Sequence, residues 1–107
     1  MIKLSFVWDS KKAEQNFKKH KISFEEAQTA FFDINARVIF DPDHSEDEDR
    51  FILLGISSSL KLLVVCHCYR EEEMKIRLIS ARKANKNEEN EYRSILLWEK
   101  NIIFQTQ

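Results

Sequence analysis

The sequence predicts an α+β domain: two N-terminal helices, a four-stranded antiparallel sheet and a C-terminal helix packed on it. Three observations carry that expectation. Capped, amphipathic segments stand at both ends of the chain. Four short β-branched runs lie between them, joined by connectors of a few polar residues that suit an antiparallel meander. One Gly and one Pro in 107 residues leave few places for sharp turns, so long regular elements are expected. With 43% of residues hydrophobic and 11% aromatic, the chain can build one compact core and has no room for a second, which predicts a single domain over 1–107.

WDSKKAEQNFKKH predicts a helix from about Ser10 to His20, opened by Asp9 or Ser10 as N-cap. Ala13 and Phe17 fall four apart on its apolar side, and Lys11, Lys12, Lys18 and Lys19 cluster on the rest. In KISFEEAQTAFFD, Ser23 and Glu26 form a capping box with Ile22 stapled to Ala27, so a second helix runs to about Phe32 and buries Ala27, Ala30 and Phe31. Four strands are expected next: Arg37 to Phe40, ending at Asp41-Pro42, then the runs beginning at Arg50, Leu60 and Met74. Asn85 and Glu88 form a third cap pair. Beyond them Tyr92, Ile95, Leu96, Glu99, Ile102 and Ile103 fall on one helical face, with Glu99 interrupting the stripe.

The N-terminus MIKLSFVWDSKK has no signal-like apolar run, and no window approaches the roughly 18 apolar residues of a membrane span, so a soluble protein with no membrane partner is expected. Cys66 and Cys68, two apart in a strand, share a face without an easy bridge, which predicts reduced thiols and a cytoplasmic home. The net charge of -1 gives no global basic signature. Six of the 18 acids lie between Asp41 and Asp49, so the remainder carries 17 - 12 = +5.

DPDHSEDEDR, Asp41 to Arg50, could be a metal loop, a solvated turn or the edge of an active site. It lacks the alternating ligands, interior Gly and distal Glu of an EF-hand, and no second His or Cys stands at zinc spacing from His44, so no metal is expected. Glu48 and Arg50 share a face if the strand starts early enough, either as a structural ion pair or as a base beside an anion clamp. Arg70, Arg77 and Arg82 lie near the ends of adjacent strands. They either converge on a phosphate-binding patch or pair with Glu71, Glu72, Glu73 or Glu88. His67 would face away from the cysteines as a core residue, and His20 suits a helix C-terminus. No Gly-rich phosphate loop, catalytic triad order or dinucleotide fingerprint is present, so no cofactor is expected. Trp8, Phe17, Phe24, Phe31 and Phe32 fall where helix packing needs them and give little reason to expect base stacking. Leu97, Trp98 and Phe104 beside the C-terminal stripe leave apolar surface for the core, a partner or a second copy.

Four motifs, W-D-x-x-K, N-x-x-K-H-x-I-S-F-E-E-A, H-S-x-x-E-x-R and I-R-x-I-S-A-R-x-A, occur in that order between about Phe6 and Tyr92. Together they resemble the BrnT toxins, the ribonuclease half of a type II toxin-antitoxin pair. The resemblance implies a RelE-like fold, an RNA substrate, and a ribbon-helix-helix antitoxin of the BrnA type through which alone operator DNA would be met, with a homodimer conceivable within the complex. The family's polar positions fall here on His44, Glu48, Arg50, Arg70, Arg77, Ser80 and Arg82. The reaction expected is metal-independent: Glu48 as base, Arg50, Arg77 and Arg82 on the phosphate oxygens, His44 or Tyr92 as proton donor, and Arg70, Lys19, Ser80 and Tyr92 along the RNA. The rival expectation is a protein-binding module without turnover.

Overall fold

A computed structural model of the chain describes residues 4–45, 47–70 and 74–105, the last seven as backbone only. In chain order the elements are β1 (Ser5–Val7), α1 (Ser10–His20), α2 (Phe24–Thr29) with a 3₁₀ turn at Ala30–Phe32, β2 (Arg37–Asp41), a 3₁₀ turn at Pro42–His44, β3 (Arg50–Ile56), β4 (Leu62–Arg70), β5 (Lys75–Lys83) and α3 (Lys86–Gln105). The strands form one sheet in the order β1-β5-β4-β3-β2. The meander β2 to β5 is antiparallel as expected. The four-stranded, purely antiparallel expectation is corrected by β1, which adds a parallel fifth strand beside β5. Three residues carry too little alternation to announce a strand, and the partner of β1 lies about seventy residues away in the chain.

Both predicted N-caps form: Asp9 accepts from Lys11 N–H at 3.0 Å and Ser23 Oγ from Glu26 N–H at 3.0 Å. These helices cover one sheet face. Ile22, Phe24, Ala27 and Ala30 meet Leu53, Leu63, Val65, Ile76, Leu78 and Ala81 in a core from which water is excluded. The helix α1 differs from expectation, because Phe17 is 49% exposed and Asn16 is buried instead. Asn16 closes an edge. Past Val7, β1 no longer flanks β5, and there the Asn16 side chain takes Ala81 N–H at 3.0 Å and donates to the carbonyls of Ala81 and Ile22 at 2.9 and 3.0 Å. Gly55 of β3 lets the turn after α2 approach the sheet, since a Cβ there would stand 2.8 Å from the Ala30 carbonyl oxygen.

The opposite face holds the charges. Between Cys66 and His67 the β4–β5 register shifts: His67 faces Leu78 but Cys66 faces Ser80, so Ile79 is an extra residue in β5. Arg77 and Arg82 are five apart and would lie on opposite faces of a regular strand. The bulge reverses that, setting Arg77, Ser80 and Arg82 on the face away from α1 and α2, with Arg50, Cys66, Cys68 and Arg70. The helix α3 starts at this face through the predicted capping box, Glu88 N–H to Asn85 Oδ1 at 2.9 Å and Asn85 N–H to Glu88 Oε1 at 2.8 Å. Tyr92, from the predicted helical stripe, is buried, Leu97 and Trp98 are exposed, and the side chains of Glu99, Ile102, Ile103 and Phe104 lie outside the described residues. No described helix is long and apolar enough to cross a membrane.

Candidate active site

The loop that opens β3 is built from the residues of the H-S-x-x-E-x-R motif. Asp41 ends β2 directly opposite Arg50, the first residue of β3. Ser45 ties the two strands off, its Oγ donating to the Asp41 carbonyl at 2.5 Å and accepting from Arg50 N–H at 2.9 Å. Pro42, with its fixed φ, starts the intervening 3₁₀ turn, which carries His44 back over Asp41. There His44 Nδ1 stands 2.8 Å from Asp41 Oδ2. A carboxylate can only accept, so Nδ1 carries the proton in that bond and Nε2 is left for other partners. Asp43, Asp47 and Asp49 stay exposed, so the loop is solvated on its outside.

Glu48 turns the other way. One carboxylate oxygen lies 3.5 Å from Arg77 and the other 3.7 Å from Arg70, so two guanidiniums from adjacent strands bracket one acid. The strand begins only at Arg50, and Glu48 reaches this face from the bend before it rather than by strand alternation. Arg50 Nε is buried and has no hydrogen-bond partner among the described residues. A cavity of about 170 Å³ joins Asp43, His44, Asp47, Glu48 and Arg50, and a second of about 270 Å³ runs from Asp41, His44 and Arg50 past Cys66 to Ser80 and Arg82. His44, Glu48, Arg50, Arg70, Arg77 and Ser80 are thus brought to one region of the sheet.

Three expected residues are placed otherwise. Arg82 lines the second cavity, but both terminal nitrogens of its guanidinium donate to Glu88, at 2.9 Å to each carboxylate oxygen. This bidentate bond raises the Arg82 pKa and lowers that of Glu88, each by stabilising the charged form. Of the paired acids foreseen for the arginines, Glu88 is found here and Glu71, Glu72 and Glu73 lie outside the described residues. Tyr92 is at the far junction of α3 with β3, where its hydroxyl donates to Asp33 Oδ2 at 2.5 Å; burial and that bond push its pKa up, so it is a fixed donor to Asp33 and not an available acid. Lys19 is exposed in the last turn of α1 and lines none of these cavities.

His67 belongs to the core. It is fully buried, donates through Nδ1 to the Val65 carbonyl at 3.1 Å, accepts at Nε2 from Tyr69 at 3.1 Å and packs in a T against Phe31; burial lowers its pKa and keeps it neutral. Cys66 and Cys68 are free thiols on the charged face, and burial pushes both pKa values up, which keeps them protonated. Among the described residues, no three His, Cys, Asp or Glu side chains gather into a set that could hold a metal ion. Asp41 was missed as the partner of His44, although its place three residues before the histidine in a Pro-started turn was a usable signal.

The family model described as the ribonuclease toxin BrnT of type II toxin-antitoxin systems matches residues 8–88. Among solved structures, the ribonuclease toxin BrnT of Brucella abortus is similar at a TM-score of 0.61 and 21% identity, over 78% of this chain and 99% of that one. No curated protein matches the sequence significantly. At that identity the structural likeness speaks to the fold, a mixed sheet with three helices, whereas the family match covers the acidic loop, the arginine strands and the capping box at Glu88. On that match, the chain belongs to the BrnT family of type II toxin-antitoxin ribonuclease toxins.

Proposed function

We propose that this chain cleaves RNA without a metal, by attack of a ribose 2′-hydroxyl on the neighbouring phosphate, and that it thereby arrests translation and growth. The observation that carries the proposal is the bracketing of Glu48 by Arg70 and Arg77 beside the Asp41–His44 pair. Glu48 takes the proton of the 2′-hydroxyl as its oxygen bonds to phosphorus. Arg70 and Arg77 hold the phosphate oxygens as negative charge builds on them, with the Arg50 side chain beside them as a further cation lining the same cavities. His44, entering as the imidazolium with its Nδ1–H on Asp41, gives its Nε2 proton to the departing 5′-oxygen as the bond of that oxygen to phosphorus breaks, and is left as the neutral Nδ1–H ring. The products are a 2′,3′-cyclic phosphate and a 5′-hydroxyl. Arg82, already paired with Glu88, anchors α3 beside the site and does not hold the phosphate.

The test is purified protein on RNA with chelator present, wild type against Glu48→Gln and Arg77→Ala, with folding of each followed by circular dichroism. Cleavage leaving cyclic phosphate ends, reduced on the order of 10²- to 10³-fold in either variant, is expected from loss of a base or of a charge clamp. Activity abolished by chelator alone, or retained in Glu48→Gln, would overturn the mechanism.

The inhibitor we propose is a ribbon-helix-helix protein of the BrnA type, with operator DNA contacted only through it. A second reading, a binding module without turnover, is favoured by the apolar surface that the fold leaves open: Val38, Ile39 and Phe40 on the edge strand β2, and Leu97 and Trp98 on α3. It predicts that Arg77→Ala keeps its partner and that the wild type has no cleavage to lose.

A further inference from the structure

The W-D-x-x-K motif has no part in the reaction above, and the structure gathers its three named residues on one cavity. That cavity, of about 440 Å³, is lined by Val7, Trp8, Asp9, Lys12, Arg70 and Arg77. The topology explains the meeting. The parallel pairing of β1 with β5 sets Val7 opposite Arg77, the chain enters α1 directly after Asp9, and Lys12 stands one helical turn on from Trp8 and Asp9, on the same side. Arg70 and Arg77 are also the guanidiniums that bracket Glu48, so the cavity adjoins the reaction site through them.

Its chemistry is that of a nucleotide. Lys12, Arg70 and Arg77 put three cations around a concavity within the roughly 300–1,000 Å³ range of small-ligand sites. Trp8 lines the cavity, is half-buried and is held in a T against Phe24 at 5.9 Å, which puts an anchored aromatic residue in the cavity lining. Sequence reasoning counted Trp8 as a packing residue only, and the structure gives it both tasks. Asp9 uses Oδ1 to accept from Lys11 N–H, which leaves Oδ2 as an acceptor for base amino groups. Cations that track a backbone beside an aromatic wall are how proteins hold single strands.

We infer that Trp8, Asp9 and Lys12, with Arg70 and Arg77, form the subsite for the nucleotide next to the scissile phosphate, Lys12 and the guanidiniums taking backbone phosphate and Trp8 the base. The inference rests on the ribonuclease reading, and the experiment separates the two. The probe is a fluorescein-labelled 2′-O-methyl oligoribonucleotide, which lacks the attacking hydroxyl and reports binding without turnover. Lys12→Ala weakens its binding about tenfold and lowers the slope of log Kd against log salt by about 0.7, as expected for one phosphate contact on a single strand. Lys11→Ala removes the same charge from an exposed neighbour that does not line the cavity, and binds within about twofold of wild type. Trp8→Phe weakens binding while remaining folded. On cleavable RNA, Lys12→Ala raises KM and leaves kcat within about threefold. If Lys12→Ala and Lys11→Ala bind alike, or the wild type does not bind the probe, the subsite is overturned, even where Glu48→Gln has lost cleavage. If Glu48→Gln still cleaves while Lys12→Ala alone loses the probe, the mechanism fails and the subsite stands. A Lys12→Ala protein that binds the probe normally but no longer binds its antitoxin would assign the cavity to the protein partner and overturn the RNA subsite.

Discussion

Asn16 satisfies three backbone groups at once, both polar groups of Ala81 and the carbonyl of Ile22, at a point where the sheet edge has run out of strand. Truncation leaves buried polar groups unpaired, each costing about 1–3 kcal/mol. Asn16→Ala should therefore lower unfolding free energy by about 2–4 kcal/mol, read from urea denaturation with unchanged slope. A loss below about 1 kcal/mol would mean that water replaces the amide. The N-x-x-K-H-x-I-S-F-E-E-A motif is thus largely structural: Asn16 closes β5, Ser23 caps α2, and Phe24 and Ala27 fill the core. Glu26 accepts from Ser57 Oγ at 2.7 Å across the α2–β3 contact. At the reaction site the residue-scale expectation runs the other way. Glu48 and its arginines are partly exposed, and ion pairs of that kind add little stability, so Glu48→Gln should leave the urea midpoint near the wild-type value while removing activity.

Elements set which side chains meet. The extra residue Ile79 in β5 puts Arg82 on the same face as Arg77, and Gly55 lets the turn after α2 lie against β3. Gly55→Ala would drive a methyl group toward the Ala30 backbone oxygen, and an overpacked site of that kind costs about 1–3 kcal/mol, measurable as a lowered Tm. The start of α3 depends on Glu88, which caps the helix and fills the fork of Arg82 in one gesture. Its folded pKa is lowered below the ordinary 4.5, chiefly by the Arg82 bond. A depressed carboxylate contributes stability that is fully present above the unfolded pKa and is lost as pH falls through the folded one. The Tm gap between wild type and Glu88→Gln should accordingly hold steady from pH 7 to about 5 and close below 4.5. A gap that persists unchanged to pH 3 would show that the carboxylate charge is not what holds α3.

At the scale of the whole molecule, the charge distribution opposes the proposed substrate. The chain carries -1 overall, and the exposed acids Asp43, Asp47 and Asp49 stand on the rim of the loop that holds His44 and Glu48. A field of that sign slows approach of a polyanion, and the effect is screened by salt. Replacing the three by Asn should raise kcat/KM on RNA about tenfold at 20 mM salt, with the gain fading toward 0.5 M. An unchanged kcat/KM at low salt would mean that RNA enters from the Trp8–Lys12 side, away from the acidic rim.

Local rules were enough wherever neighbours in the chain are also neighbours in space. The caps at Asp9, Ser23 and Asn85 and the short-connected meander from β2 to β5 rest on local sequence signals, and they could be read in advance. The family, too, was legible, because four motifs in order survive without any geometry. Contacts between distant segments could not be read in that way. Whether β1 exists depends on an edge of β5 about seventy residues away, whether Phe17 or Asn16 turns inward depends on that same edge, and the face shared by Arg77 and Arg82 depends on a register shift against β4. Arg82 could be read as a phosphate ligand or as the partner of Glu88, and only the helix start that delivers both carboxylate oxygens to it selects the second. Periodicity reports how a segment would sit on a regular element. Which groups share a site is decided by pairing and packing across the chain, where one bulged residue reverses a face.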